Sequence, residues 1–412
     1  MNRAHFFSYC YYILLGVAVL SVPFTSLLYF FITPLLLILW IIEGDWNNKW
    51  TRLKESHTLI ITCCLALFWL INIIGLLHSN DLIKGLMRTY DKLPFLVYPL
   101  VFFTIDKTFF TEKRVHTLFK GILCATAIML MLNWGNALVQ YFTTNETHYF
   151  YYTYFSRFSG HPSYCSLIVC IAFIIAFYFL VRQLKLTAIA LIALLFFFAI
   201  SIYFFQSRSG ILAFGVVLLF SLFYYLHTRK KTYWYAAGGI LTILLLAVII
   251  TKLSSNRTGY FMDKMSTEQW QAKDILGLRG EIWEVSYQIA MEHKIWGIGT
   301  GYDTESYLTK DNLELFNRTS FINTHNQFLQ TFLEHGILGI CVLTFLMIYS
   351  FYFAIKTKNY LLLMLLISMI INLFFESMFE RTSGIFTFSL FYCLFVVKKN
   401  IFANSEKKAQ NL

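Results

Sequence analysis

Twelve apolar runs divide this chain of 412 residues, each long enough, or nearly so, to cross a hydrocarbon core about 30 Å thick. They lie near 7–23, 26–43, 57–78, 92–105, 118–142, 162–181, 188–206, 210–227, 234–251, 326–355, 360–376 and 383–397. A bilayer offers the backbone no water, so spanning segments must close their hydrogen bonds internally, and runs of this length do so as helices. Charged residues make up 13% of the chain, against roughly 25% in a soluble domain. The expected fold is therefore all-α: a polytopic transmembrane helical bundle of about 12 spans. Pro23, Pro34, Pro94 and Pro99 interrupt the first, second and fourth runs, and the short run at 92–105 can be re-entrant rather than fully spanning. The first run follows Arg3 without a small-residue cleavage site before the second run begins, so it is expected to stay as a helix.

Three parts follow from this spacing. Residues 1–251 form an N-terminal bundle of about nine spans, 252–325 a long polar segment, and 326–412 the C-terminal helices and a tail. Lys and Arg on alternate short loops number nineteen against six, the richer set including Lys49, Arg52, Lys54, Arg229–Lys231, Lys398 and Lys399. Basic residues stay on the cytoplasmic side, so both termini are expected there and the 252–325 segment on the far face. The net charge of +11 is spread over these anchors, not gathered on one exposed face as nucleic-acid binding requires. All eight cysteines fall inside apolar runs, outside any zinc-ligand spacing, and read as small apolar side chains.

Polar residues on the far face are the candidates for function, because charge beside hydrocarbon is costly unless paired or wetted. Gln206-Ser207-Arg208-Ser209-Gly210 lies between two spans with almost no loop. Arg208 there can be a snorkelling anchor, or, with Ser209 and Gly210 letting a phosphate approach the free amides of a helix start, an anion ligand. Arg279 opens an expected amphipathic helix, Arg279 to Glu292, and can equally be a solvated charge. Gly297-Ile298-Gly299-Thr300-Gly301 lacks a preceding strand and a Walker lysine, so it reads as a tight backbone turn and not a nucleotide loop. His325, followed by Asn326, is expected to cap the next span, while Glu334 and His335 read as structural. Arg157 and His161-Pro162 end another far-face loop, and Glu376, Glu380 and Arg381 the last one, where Arg and Glu can simply pair.

These pieces resemble the O-antigen ligase and polymerase superfamily of membrane glycosyltransferases. Arg208-Ser209-Gly210, the Gly297–Gly301 turn and His325-Asn326 through Glu334-His335-Gly336 to Gly339 stand in the family's order over roughly 188–340. The resemblance implies a bacterial inner-membrane enzyme with its site on the periplasmic side. It implies a fold like other polyprenyl-phosphate-dependent glycosyltransferases. The donor would be an undecaprenyl-diphosphate-linked glycan and the acceptor a glycolipid or glycan, used without metal or other cofactor. Arg208, Arg279 and His325 match the family's catalytic positions. Arg157, His161, Ser209, Gly210, Asn326, Glu376 and Arg381 are the expected substrate-binding residues. The chemistry agrees: a departing diphosphate gathers negative charge that guanidinium forks suit, and no outward Asp-x-Asp or carboxylate cluster stands at metal spacing. His325 can take the acceptor hydroxyl's proton or donate to the diphosphate. A ligase delivering to lipid A core is expected ahead of a polymerase that uses a second lipid-linked glycan. A flippase would want charges near the midplane, not at one face.

Overall fold

The computed structural model describes residues 3–24, 27–54, 56–182, 188–228, 278–301 and 323–397. The run at 234–251, most of the 252–325 segment and the C-terminal tail lie outside the described residues. Eleven of the twelve runs fall on helices, and no strand occurs among the described residues. In chain order these are α1 (Arg3–Ser21), α2 (Leu28–Glu43), α3 (Trp46–Leu53), α4 (Ser56–Gly75), α5 (Leu82–Asp91), α6 (Pro94–Thr104), α7 (Glu112–Thr144), α8 (Tyr152–Phe155), α9 (Pro162–Val181), α10 (Ala188–Phe205), α11 (Arg208–Thr228), α12 (Leu278–Glu292), α13 (Gln327–Lys356), α14 (Tyr360–Phe375) and α15 (Thr382–Val397).

Seven of them, α1, α4, α7, α9, α10, α11 and α13, are long and apolar enough to cross a membrane, and the bent pair α2–α3 makes eight if it counts as one span. The remaining apolar runs fold shorter. Helices α14 and α15 have 16 residues each, and α6 has 11, about 16 Å at 1.5 Å per residue. Pro94 sits harmlessly in the first turn of α6, where its missing N–H has no helical partner to lose, and the helix is buried along nearly its whole length. It is a half-length core helix, which accounts for the brevity of its apolar run.

A helix that is apolar all round must be covered all round. Helix α9 is buried from Pro162 to Phe179, and α15 from Gly384 to Val396. Around them, α10 turns Ile189, Phe196 and Ile200 outward, and α2 does the same with Phe31 and Ile42. Lipid is as apolar as these side chains, so helix association there depends on close packing and not on exclusion of water. Small residues supply it: a Cβ on Gly210 would stand 2.4 Å from the Ser166 Cβ on α9, and one on Gly384 would stand 2.1 Å from the Met378 carbonyl oxygen.

The two ends of the bundle differ in chemistry. At one end the chain bends by 116° between α2 and α3 through Gly44 and Asp45, both at positive φ. There Lys49 meets Glu43 at 2.7 Å and lies 4.7 Å from the Trp40 ring, and Arg52 donates to the Thr104 carbonyl at 2.8 Å. Arg114, Arg182 and Lys356 lie at the same end, the cations with aromatic anchors that a membrane boundary favours. At the other end the starts of α9, α11 and α13 meet the end of α14. A membrane-impermeant maleimide should therefore label Glu146→Cys and Lys356→Cys from opposite faces of oriented vesicles; labelling of both from one face would contradict this arrangement.

Candidate active site

Three helices begin at that second end, and each start is built locally. His161 precedes Pro162 and accepts the Ser163 N–H at 3.4 Å. Ser207 precedes Arg208 and accepts the Gly210 N–H at 3.2 Å. Asn326 accepts the N–H groups of Phe328 and Leu329 at 3.0 and 3.1 Å. Asn326, not His325, is thus the cap of α13. His325 stands one residue earlier at φ 45°, because a side chain that must reach into the site cannot also fold back onto its own helix start. Each helix start presents free amide donors and the positive end of a dipole, so their convergence favours negative charge.

Glu376, at the end of α14, lies where they meet. Its Oε1 accepts from Arg279 Nη2 at 2.9 Å and from Ser163 Oγ at 3.2 Å, and its Oε2 stands 3.1 Å from His325 Nδ1. Arg279, in the first turn of α12, also donates to the Phe375 carbonyl at 3.0 Å, so one guanidinium closes over both the carboxylate and the helix end. Burial pushes the Glu376 pKa up, but the His325 hydrogen bond and the Arg279 charge outweigh it and hold the carboxyl below the ordinary range. The His161 pKa also lies below that of a free histidine. Burial lowers it, against the pull of Glu376, and Arg381, His325 and Arg279 add to the fall.

The other expected residues distribute around this centre. Ser207 donates to Ser163 Oγ at 3.2 Å and stands 3.3 Å from Ser209 Oγ, which ties the start of α11 to Glu376 through one hydroxyl. Arg208 follows Ser207 directly and is exposed. Gly210 packs against Ser166 of α9. Arg381 and Arg157 are exposed in the turns that precede α15 and α9. Glu376 pairs with Arg279 and His325, so the simple Arg–Glu pairing within 376–381 is not what forms. Thr324 braces the His325 turn: its hydroxyl stands 3.3 Å from Ser377 Oγ and its carbonyl accepts from Trp283 Nε1 at 2.7 Å. Among the described residues, no three His, Cys, Asp or Glu side chains converge as a metal site would require.

Beside the site lies a second polar cluster, in which Glu334 and His335, expected to be structural, and Glu380 meet Lys92 and Asn72, two members that sequence reasoning missed. Lys92, one of the six cations of the charge-poor loops, is 2% exposed. Its Nζ donates to Asn72 Oδ1 at 2.9 Å and to Glu380 Oε1 at 3.2 Å, and stands 3.6 Å from Glu334 Oε2. Glu334, 1% exposed, also accepts from Arg88 at 3.0 Å and Gln330 at 2.7 Å. Gln327 donates to Glu380 at 3.0 Å and accepts the Phe379 N–H at 2.6 Å, stapling the 378–380 turn to the helix that His325 precedes. A signal that could have found the rest was Asn72, an amide inside an otherwise apolar run.

The glycine turn locks this cluster. Gly336, at φ 58°, breaks α13, so Ile337 N–H turns to the Lys294 carbonyl and the carbonyls of Leu333 and Glu334 are freed. Ile298 and Gly299 N–H fill them at 2.9 and 3.0 Å, and Thr300 N–H reaches the Gly75 carbonyl at 3.1 Å. Gly297, Gly299 and Gly301 all have positive φ, and a Cβ on Gly297 or Gly301 would come within 2.3 Å of neighbouring backbone. The turn is a wedge of bare backbone between α13 and α4–α5.

Residues 191–344 match a family model described as O-antigen ligase. The match takes in Arg208, Arg279, His325 and the glycine turn, while His161, Glu376 and Lys92 lie outside it. A search of curated proteins finds no match.

Two outcomes are expected. Glu334→Ala removes the buried carboxylate that Lys92 and Arg88 share and should cost about 3–5 kcal/mol in detergent unfolding, with Glu334→Gln costing less. Because the Glu376 pKa is depressed on folding, its contribution is complete above its usual value of 4.5 and lost as pH falls through the folded value. The stability gap between the native protein and Glu376→Gln should therefore stay level at neutral pH and close in acid.

Proposed function

We propose, from the likeness of residues 191–344 to the O-antigen ligase family model, that this chain is a ligase- or polymerase-type membrane enzyme that moves a glycan from undecaprenyl diphosphate to an outer-leaflet acceptor such as the lipid A core. The single observation that carries the mechanism is the 3.1 Å contact of His325 Nδ1 with Glu376 Oε2. A carboxylate on Nδ1 holds the proton there and leaves Nε2 as the lone-pair nitrogen, the arrangement of a general base. The acceptor hydroxyl gives its proton to Nε2 as its oxygen bonds to the anomeric carbon. The anomeric C–O bond to phosphate breaks, and undecaprenyl diphosphate leaves with the electron pair.

The charge that gathers on the leaving diphosphate meets fixed donors. Arg279 lies in the same contact set as the base, Arg208 stands one residue from the Ser207–Ser163 link, and the starts of α9, α11 and α13 add their amides. Donors already in place need no reorganisation as charge develops, so they stabilise the transition state more than water could. Ser209, Asn326, His161, Arg157 and Arg381 line its approaches as substrate-binding residues. In this reading the protein sits in a bacterial inner membrane with both termini cytoplasmic and the site periplasmic. The cation-rich end that holds Lys49, Arg52 and Arg182 then faces the cytoplasm.

Purified protein in lipid, given an undecaprenyl-diphosphate glycan and candidate acceptors, tests the reading. Glycan arriving on lipid A core with release of undecaprenyl diphosphate is expected; chain growth on the carrier would make the enzyme a polymerase with the same chemistry. Arg208→Ala, Arg279→Ala and His325→Ala should each lower turnover by at least about 100-fold while insertion is kept. Undiminished activity in all three would rule out this centre.

A further inference from the structure

Buried serines inside the helices of this bundle return their hydroxyls to their own backbone. Ser166 donates to the Pro162 carbonyl and Ser201 to the Phe197 carbonyl, each four residues back at 2.8 Å. Ser163 and Ser207 are placed differently. Ser163 lies in the first turn of α9 and Ser207 just ahead of α11, where no helical carbonyl stands four residues below. Their hydroxyls turn to each other and to the site: Ser207 donates to Ser163 Oγ at 3.2 Å, and Ser163 donates to Glu376 Oε1, also at 3.2 Å.

A serine hydroxyl has one proton to give, so these two contacts fix the direction of the whole chain. Ser163 spends its proton on Glu376, and Ser207 spends its own on Ser163. Ser209, 3.3 Å from Ser207 Oγ, is then the donor of that pair, and the Gly210 N–H gives to the same oxygen at 3.2 Å. Every donor points toward the carboxylate. Ser163 and Ser207 are both buried, so they hold Glu376 from the protein's interior, while Arg279 and His325 meet it from partly open positions.

We propose that Ser163 and Ser207 are positioning residues that act through Glu376: their hydroxyls hold Oε1 in place, so that Oε2 stays on His325 Nδ1. The inference rests on the glycan-transfer reading and adds to it the means by which the base is kept aimed. Arg279 cannot supply this alone, because the same guanidinium is to meet the leaving diphosphate, and its hold on Glu376 weakens as that charge gathers. A buried hydroxyl that faces no substrate keeps its bond throughout. The chain also joins the turn that carries Arg208 to the base, because Ser207 is its neighbour in sequence and Glu376 the far end. One buried network thus sets both the donor grip and the proton acceptor.

Full-length protein in nanodiscs, given an undecaprenyl-diphosphate-linked glycan and lipid A core, tests this as a double-mutant cycle. Ser163→Ala should lower kcat roughly ten-fold with KM for the donor little changed, and Ser207→Ala should lower it by a smaller factor. In a Glu376→Gln background neither should lower kcat by more than about two-fold further, because the group they act through is already gone. Losses that simply multiply, or native rates in both serine variants, would overturn the positioning role. Carbethoxylation of His325 by diethyl pyrocarbonate, followed by mass spectrometry with no substrate present, gives a second measurement. The reagent attacks the lone-pair nitrogen, which a carboxylate on Nδ1–H makes more electron-rich. Ser163→Ala should slow the modification toward the Glu376→Gln rate and change nothing when added to Glu376→Gln; an unchanged rate in Ser163→Ala would overturn the proposal. Native protein that transfers no glycan, with His325 still following this pattern, would overturn the glycan-transfer reading and leave the hold on Glu376 standing.

Discussion

Glu376 is the carboxylate on which this end of the bundle closes. Helices α9, α11 and α13 all begin there, each bringing a positive dipole end, and Arg279 and His325 add side-chain donors. Without a negative group, such a convergence would be self-repelling. Glu376 supplies that group from the end of α14, touching Arg279, His325 and Ser163 within 3.2 Å. The same electrostatic demand is what would make the place receptive to a diphosphate.

Around that centre the polar work is divided between two clusters. Arg279 and His325 are partly open over a buried Glu376, whereas Lys92, Glu334 and His335 are almost fully enclosed. The enclosed cluster joins α4, α5, α13 and the 378–380 turn, and Gln327 carries its rigidity to the chain just after His325. The glycine turn belongs with it, because its amides satisfy the carbonyls released where α13 kinks at Gly336. A site built on kinked and capped helix ends needs such an anchor, since misplacement of about 1 Å is enough to spoil a catalytic geometry.

Much of the fold was legible along the chain. Runs of apolar residues marked eleven helices because hydrocarbon forces every spanning segment to satisfy its own backbone. The amphipathic pattern at 279–292 marked α12, and the absence of a strand and a Walker lysine marked Gly297–Gly301 as a turn. Hydropathy could not separate a helix that crosses from one that is merely buried, so the 11-residue α6 read as a possible span. Nor could it tell a lysine at a lipid boundary from Lys92, which is enclosed by residues contributed from other, distant places in the chain.

What the sequence by itself determined is the kind of molecule: an all-helical membrane bundle, with Arg208, Arg279 and His325 expected at one end of it. Those properties are local, set by hydropathy, spacing and loop charge. Only the tertiary structure decided partners. That Glu376 holds Arg279 and His325, that Asn326 and not His325 caps α13, and that Ser163 reaches Glu376 are outcomes of which segments the fold sets side by side. Long-range pairing of buried polar groups is chosen by which helix ends the packing brings together, and one-dimensional pattern carries no record of that choice.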